Sequence, residues 1–299
     1  MISLRSLLVG DNSFIGVSHL SQARARSRAQ ELDIDAIVRV VYSAIEHGAT
    51  GFTFSTHPTN LQVLEYMKLN PGPKFQLYPV LPYAQGYVRT ANEKGTMKLA
   101  TELFSKLAPS TKVSSLLQGG LSAITLDPIR MLKSYVDIEL GSYLRVKPEN
   151  TDLGAILLHD ILTDLGVAFE AVHFFEAFID NIRKRYTAKP GFVTRNFVKF
   201  VDLFERNRLP LRDIVIMCPF NKVGFQMTPT KESCEECLSK SDLGEIFAMS
   251  ILAGGYIPLD EAIDYIRTLQ NLTGVVAGVS TQQHAQETFT SLKPLLTPR

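Results

Sequence analysis

GFTFSTHPTNLQVLEYMKLNPGPKFQLYPVL, residues Gly51–Leu81, is the stretch that decides the fold class. It opens on a short apolar run, Gly51–Ser55, and passes through His57-Pro58 into a helical pattern, LQVLEYMKL. It then returns to a second apolar run, Phe75–Leu81. Two strand-like runs joined by a helix-length segment read as a βαβ unit with parallel strands, because so long a connection must cross over rather than turn back.

The same alternation extends in both directions. Upstream, Leu7–Val9 is a strand stopped by Gly10-Asp11-Asn12. The segment DIDAIVRVVYSAIEHG is a helix with Asp33 or Asp35 as cap, an Ile37/Val40/Val41/Ile45 stripe and Gly48 at its end. Downstream, strands are predicted at Gly154–Asp160, Gly191–Thr194, Asp213–Phe220, Ile246–Gly255 and Gly274–Thr281. Helical segments such as AFEAVHFFEAFIDNIRKRY and FVKFVDLFERN lie between them, and QQHAQETFTSLKPLL follows the last. Eight strand runs in alternation with helices predict an α/β fold, a single (β/α)₈ barrel over residues 1–299, rather than an open doubly wound sheet. Residues 109–152 break the rhythm and are predicted as a helical insertion between the third and fourth strands.

Composition excludes several classes. The 299 residues are 45% hydrophobic and 20% charged, far from the signature of disorder. Basic and acidic side chains number 31 and 30, so no nucleic-acid partner is expected. No apolar run approaches the about 18 residues of a membrane span, and none near the first residue suits a secretory signal, so no membrane partner is expected. Three cysteines are too few for a disulfide framework, which points to a reducing, cytoplasmic setting. Cys234 and Cys237 form a C-x-x-C without the second pair that zinc needs; in the polar, acidic run TKESCEECLSK they read as cysteines of an exposed connection.

Chemistry in such barrels sits at the C-terminal strand ends. That filter selects Asp11, Asn12 and His19 after the first strand, Ser55, Thr56 and His57 after the second, Tyr78 and Tyr83 around the third, and His159, Asp160 and Asp164 after the fourth. It adds Arg195 and Asn196 after the fifth, Asn221 and Lys222 after the sixth, Gly254 and Gly255 after the seventh, and Gly278, Ser280 and Thr281 at the eighth. His159 ends an apolar strand, where an imidazole either moves protons or bonds a neighbouring backbone in the core. His19, His57 and His159 together suggest a metal site, although no local ligand spacing such as H-E-x-x-H supports it. Lys222 reads as a Schiff-base amine or as a loop lysine beside an anion. The glycines Gly254, Gly255 and Gly278, with Ser280 and Thr281 opening a helix, read as a phosphate cradle.

The segment ILAGGYIPLDEAIDYIRTLQNLTGVVAGVSTQQHAQET resembles the C-terminal part of the aldo/keto reductase superfamily, through Gly255, Asp260-Glu261-Ala262, Gly278, Ser280 and His284. Gly10–Gly16, GFTFSTHP and LLHD resemble that family's first, second and fourth strand ends. The resemblance implies a nicotinamide cofactor, NADP or NAD, with its phosphate at Ser280 and Thr281. It departs at the proton relay. Ser55 stands at the family's aspartate position, no tyrosine follows before Tyr66, and no lysine ends the third strand; His159 alone remains. QQHAQET also lacks the arginine expected for a 2′-phosphate.

These readings converge on an enzyme acting on a small anionic or phosphorylated substrate at the barrel mouth. His159 is its acid/base, positioned with Asp160, Asn12 and His57, while His19, Asn221 and Lys222 meet the substrate. An oxidoreductase with a rebuilt relay is the form the resemblance implies. A metal-assisted hydrolase or lyase using His19, His57 and His159, and a non-catalytic ligand-binding barrel, are the alternatives. The partner is a small molecule, with a homo-oligomer left open.

Overall fold

The computed structural model describes residues 4–16, 33–82, 128–240 and 242–297. Its strands are β1 (Ser6–Gly10), β2 (Gly51–Ser55), β3 (Phe75–Leu81), β4 (Thr151–Leu153), β5 (Ala155–Leu158), β6 (Lys189–Val193), β7 (Val215–Pro219), β8 (Glu245–Met249) and β9 (Gly274–Gly278). All pair in parallel. β1 bonds both β2 and β9, and β2 bonds β3, so the sheet closes on itself. β4 and β5 both pair with β3 and are two pieces of one barrel position, which leaves a closed barrel of eight positions.

The break between β4 and β5 has a packing cause. Gly154 separates them, and a Cβ there would stand 2.3 Å from the Tyr78 ring. Tyr78 fills the barrel interior with Leu8, Leu157, Val193, Val215, Met217 and Phe247, and its ring centroid lies 5.7 Å from that of Phe247. The lumen is therefore a packed core and not a channel.

The surrounding helices are α1 (Ile34–Glu46), α2 (Pro58–Leu69), α3 (Pro128–Val146), α4 (Asp160–Ala168), α5 (Val172–Arg185), α6 (Phe197–Arg206), α7 (Lys231–Ser239), α8 (Leu259–Thr268) and α9 (Gln282–Leu292). Asp33 caps α1, accepting from the Ala36 amide at 2.6 Å. The phenylalanines of α5, β6 and α6 form one aromatic cluster; Phe200 and Phe204 stack with centroids 4.1 Å apart. The two ends of the described chain meet: Leu4 bridges Leu296, and the Thr297 amide donates to the Leu4 carbonyl at 2.9 Å.

Several sequence boundaries shift. Of the stretch 109–152, residues 109–127 lie outside the described residues. α3 packs between α2 and α5, the place of a barrel helix after β3, and Thr151–Leu153 is strand because it completes the pairing with β3. The fourth predicted strand stops at Leu158, since His159 already caps α4. The seventh stops at Met249. Its apolar continuation turns away at Ser250 (φ 55°), and Ala253 joins Ile257 and Ala262 in a small separate cluster. Cys234 and Cys237 lie on the inward face of α7, not in an exposed connection; both are buried, as is Cys218. Among the described residues no helix is long and apolar enough to cross a membrane.

Candidate active site

The strongest polar constellation stands where β5 gives way to α4. The apolar strand AILL ends in His159, whose backbone starts α4, and Asp160 is the first helical residue. Asp160 Oδ1 lies 2.7 Å from His159 Nδ1 and accepts the Ile161 amide at 2.9 Å; Oδ2 lies 2.8 Å from Arg195 Nε. The Ile161 amide is also 3.2 Å from His159 Nδ1, but its single proton is better placed on the carboxylate. Nδ1 therefore carries the ring proton and donates it to Asp160. Nε2 makes no hydrogen bond among the described residues and is left to serve a substrate.

One helical turn on, Asp164 accepts the Thr194 hydroxyl at 2.5 Å and the Arg195 amide at 3.2 Å. The two carboxyls are driven apart. Burial alone would raise both. At Asp160 the His159 hydrogen bond and charge, with the Arg195 guanidinium, overcome burial and hold the carboxyl below the usual range. At Asp164 burial dominates and the carboxyl is raised. Titratable neighbours pushed in opposite directions are a signature of functional sites.

A second cluster sits at the ends of β1 and β2. Asp11 is buried, and its Oδ2 accepts the Ser55 amide at 2.8 Å and the Asn60 side-chain amide at 2.7 Å. Burial raises its pKa against these bonds. The carboxyl thus stands beside Ser55. Among the described residues the buried Asn60 side-chain oxygen has no hydrogen-bond partner. Thr56 donates to Glu139 at 2.7 Å, and the Tyr143 hydroxyl donates to the His57 carbonyl at 2.8 Å. His57 caps α2, its Nδ1 accepting the Thr59 amide at 3.1 Å.

The proposed phosphate cradle divides in two. Gly278 ends β9, and among the described residues it is exposed, with no atom within 4 Å of where a Cβ would stand. Thr281 caps α9 by accepting the His284 amide at 3.1 Å, and Ser280 Oγ lies 3.5 Å from His284 Nδ1. The Ser13 hydroxyl donates to the Val279 carbonyl at 2.5 Å and ties the turn after β1 to the end of β9. Gly254 and Gly255 belong instead to a tight turn beyond β8, at φ 76° and 98°.

The other sequence candidates do different work. Asn221 is fully buried, and its amide both donates to and accepts from the Phe225 backbone, at 2.8 and 2.7 Å, closing the loop after β7. Lys222 is exposed and paired with Glu261 at 2.6 Å, which raises its pKa; this is the opposite of the desolvated setting a Schiff-base amine needs. Asn12 is exposed in the turn after β1, and His19 and Tyr83 lie outside the described residues. Among the described residues no three His, Cys, Asp or Glu side chains group closely enough to hold a metal ion. Sequence reasoning placed Asp11 among the strand-end residues without giving it a role, and it did not select Asn60, Glu139 or Tyr143.

No family model matches the chain, and no curated protein matches it in sequence. Solved structures do match in fold. A proposed aldo-keto reductase from Pseudomonas aeruginosa aligns over 98% of this chain and 91% of its own at 12% identity, with a TM-score of 0.59. The aldo-keto reductase MGS-M4, from a Medee basin deep-sea metagenome library, aligns over 86% and 80% at 13% identity and 0.51. A glycerol dehydrogenase of Gluconobacter oxydans aligns over 95% and 85% at 10% identity and 0.52. The chain is thus a closed parallel (β/α)₈ barrel with the fold of aldo-keto reductases.

Proposed function

We propose that this protein is an oxidoreductase of the barrel mouth, reducing the carbonyl of a small anionic or phosphorylated substrate with a nicotinamide cofactor and a proton relay rebuilt around His159. The observation that carries the reading is the Asp160 carboxylate held between His159 Nδ1 and Arg195 Nε. Asp160 holds the Nδ1 proton, so Nε2 is the atom that meets the substrate oxygen: as an imidazolium, His159 would give its Nε2 proton to the alkoxide oxygen left by reduction and then be reprotonated from solvent. Arg195 keeps its terminal guanidinium nitrogens outside any protein bond among the described residues and is half-exposed. It suits a carboxylate or phosphate on the substrate. Asn12 and His57 would position the substrate from the β1 and β2 side.

The uncovered backbone at Gly278 and the start of α9 at Ser280 and Thr281 fit the phosphate of a dinucleotide, which amides at a helix start favour. Bound there, a nicotinamide supplies hydride to the carbonyl carbon. The test is NADH and NADPH oxidation against a panel of aldehydes and ketones carrying phosphate or carboxylate, with neutral analogues as controls. Turnover of the anionic members, lost in His159→Ala and shifted to higher KM in Arg195→Ala, is expected. Failure of both dinucleotides to bind in equilibrium dialysis would remove the reading.

A further inference from the structure

At the opposite end of the barrel, the N-terminal ends of the strands surround a cavity of about 790 Å³. Among the described residues its charged lining is Arg5, Lys189, Arg212, Lys240 and Arg267 against one carboxylate, Glu245, with Asp242, Glu205 and Asp264 paired to three of the cations from outside the lining. In a chain of net charge +1 this is a local concentration of positive charge, not a property of the whole surface. The five cations come from five different places: just before β1, at the start of β6, before β7, beyond α7 and from the last turn of α8.

The frame beneath them is fixed. At Gly244 a Cβ would stand 2.3 Å from the Ile214 carbonyl oxygen and 2.4 Å from that of Leu211, so the floor of the cavity admits no side chain there. Asn271, at φ 60°, donates its amide to the carbonyls of Leu238, Ser239 and Lys240 at 3.1–3.3 Å, holding the end of α7 and Lys240 at the rim. The cations themselves are weakly committed. Arg5 has no ion pair among the described residues. Lys240 lies 3.9 Å from Glu205, and Arg212 and Arg267 pair with the exposed Asp242 and Asp264. Exposed pairs of this kind contribute little and exchange readily for a better anion. Lys189 is bonded to Glu245 at 2.7 Å.

We propose that this basin is a binding site for a small, multiply charged oxyanion, such as an inorganic polyphosphate or a bisphosphate ester. Three arginines offer forked donors that match phosphate oxygens. Among the described residues no aromatic side chain lines the cavity, so the ligand is recognised by charge and not by stacking of a base. The volume lies within the about 300–1,000 Å³ of small-molecule sites. The site is at the far end of the barrel from His159 and does not depend on the reading of the mouth.

Isothermal titration of the full-length protein with inorganic tripolyphosphate tests it. One saturable site is expected, with orthophosphate at least about tenfold weaker because it engages fewer cations. Arg212→Ala with Arg267→Ala weakens binding by about tenfold or more, and Arg5→Ala with Lys240→Ala does the same. All four side chains are exposed, so thermal melts of both pairs stay at the wild-type value. Ser280→Ala leaves the titration unchanged. Fructose 1,6-bisphosphate competing with tripolyphosphate would extend the site to phosphate esters, and its failure to compete would confine the site to inorganic chains. Three results would overturn the proposal: no saturable binding, loss of binding in Ser280→Ala while both basin pairs retain it, or a single-stranded oligonucleotide displacing tripolyphosphate with a steep salt dependence, which would make this a nucleic-acid face.

Discussion

Nδ1 of His159 and Oδ1 of Asp160 stand 2.7 Å apart although the two residues are neighbours in the chain, one capping α4 and the other beginning it. A strand-to-helix turn supplies both halves of an oriented imidazole–carboxylate pair, and Arg195 from the next strand end closes it. Replacing His159 by Ala is expected to lower turnover about 10²–10⁴-fold. It should cost about 1–3 kcal/mol of stability, since the side chain is only 18% exposed and its loss takes one hydrogen bond from the buried Asp160 carboxylate. Steady-state kinetics beside a urea melt measures both. A loss of several kcal/mol with activity retained would make the ring a structural cap.

Asp160 and Asp11 should pull the pH dependence of stability in opposite directions. Asp160 titrates below its unfolded value of about 3.9, so its contribution is present above that pH and is lost as pH falls through the depressed folded pKa. Asp11 is raised by burial, so it costs stability as pH rises from about 3.9 through the raised value. Asp11→Asn is expected to flatten the decline over that upper window, while Asp160→Asn removes the acid-side dependence. Urea midpoints at a series of pH values read both slopes.

Two glycines at strand ends should respond in opposite ways to one methyl group. Gly154→Ala drives a Cβ into the Tyr78 ring and is expected to destabilise by about 1–3 kcal/mol. Gly278→Ala meets nothing among the described residues and should leave the melting temperature unchanged while weakening dinucleotide binding, because the methyl occupies backbone at the proposed phosphate site. Dialysis against NADPH paired with thermal melts distinguishes the two effects.

The three thiols should be slow to react in the folded protein. Burial, reinforced by neighbouring acidic and thiol groups, pushes Cys234 and Cys237 up to about 11 and raises Cys218 well above its ordinary value. Titration with a thiol-specific disulfide reagent is expected to show slow release from the native protein and prompt reaction of all three in denaturant. Prompt reaction of Cys234 in the native state would contradict the packing of α7.

Strand positions were legible wherever one short apolar run was bounded by polar or turn residues, as at Phe75–Leu81. They blurred where apolarity served another purpose: Ile251 and Ala253 pack against neighbours after the chain has left β8, and periodicity cannot separate that from strand. His159 and Asp160 were legible as a pair because they adjoin. Their tautomer, and the part played by Arg195, depend on an approach between two strand ends that no local pattern encodes. Asn221 shows the converse: a polar residue at a strand end that spends both halves of its amide on its own loop.

The bridge from Leu4 to Leu296 makes the order of the chain separable from the order of the barrel. Start and finish of the described chain lie side by side, so a short linker could join them and a new opening be cut in an exposed connection such as Asn207-Arg208, with every strand keeping both neighbours. A circularly permuted chain of this kind would carry the His159 and Gly278 strand ends, and the basic basin beside Arg5, unchanged.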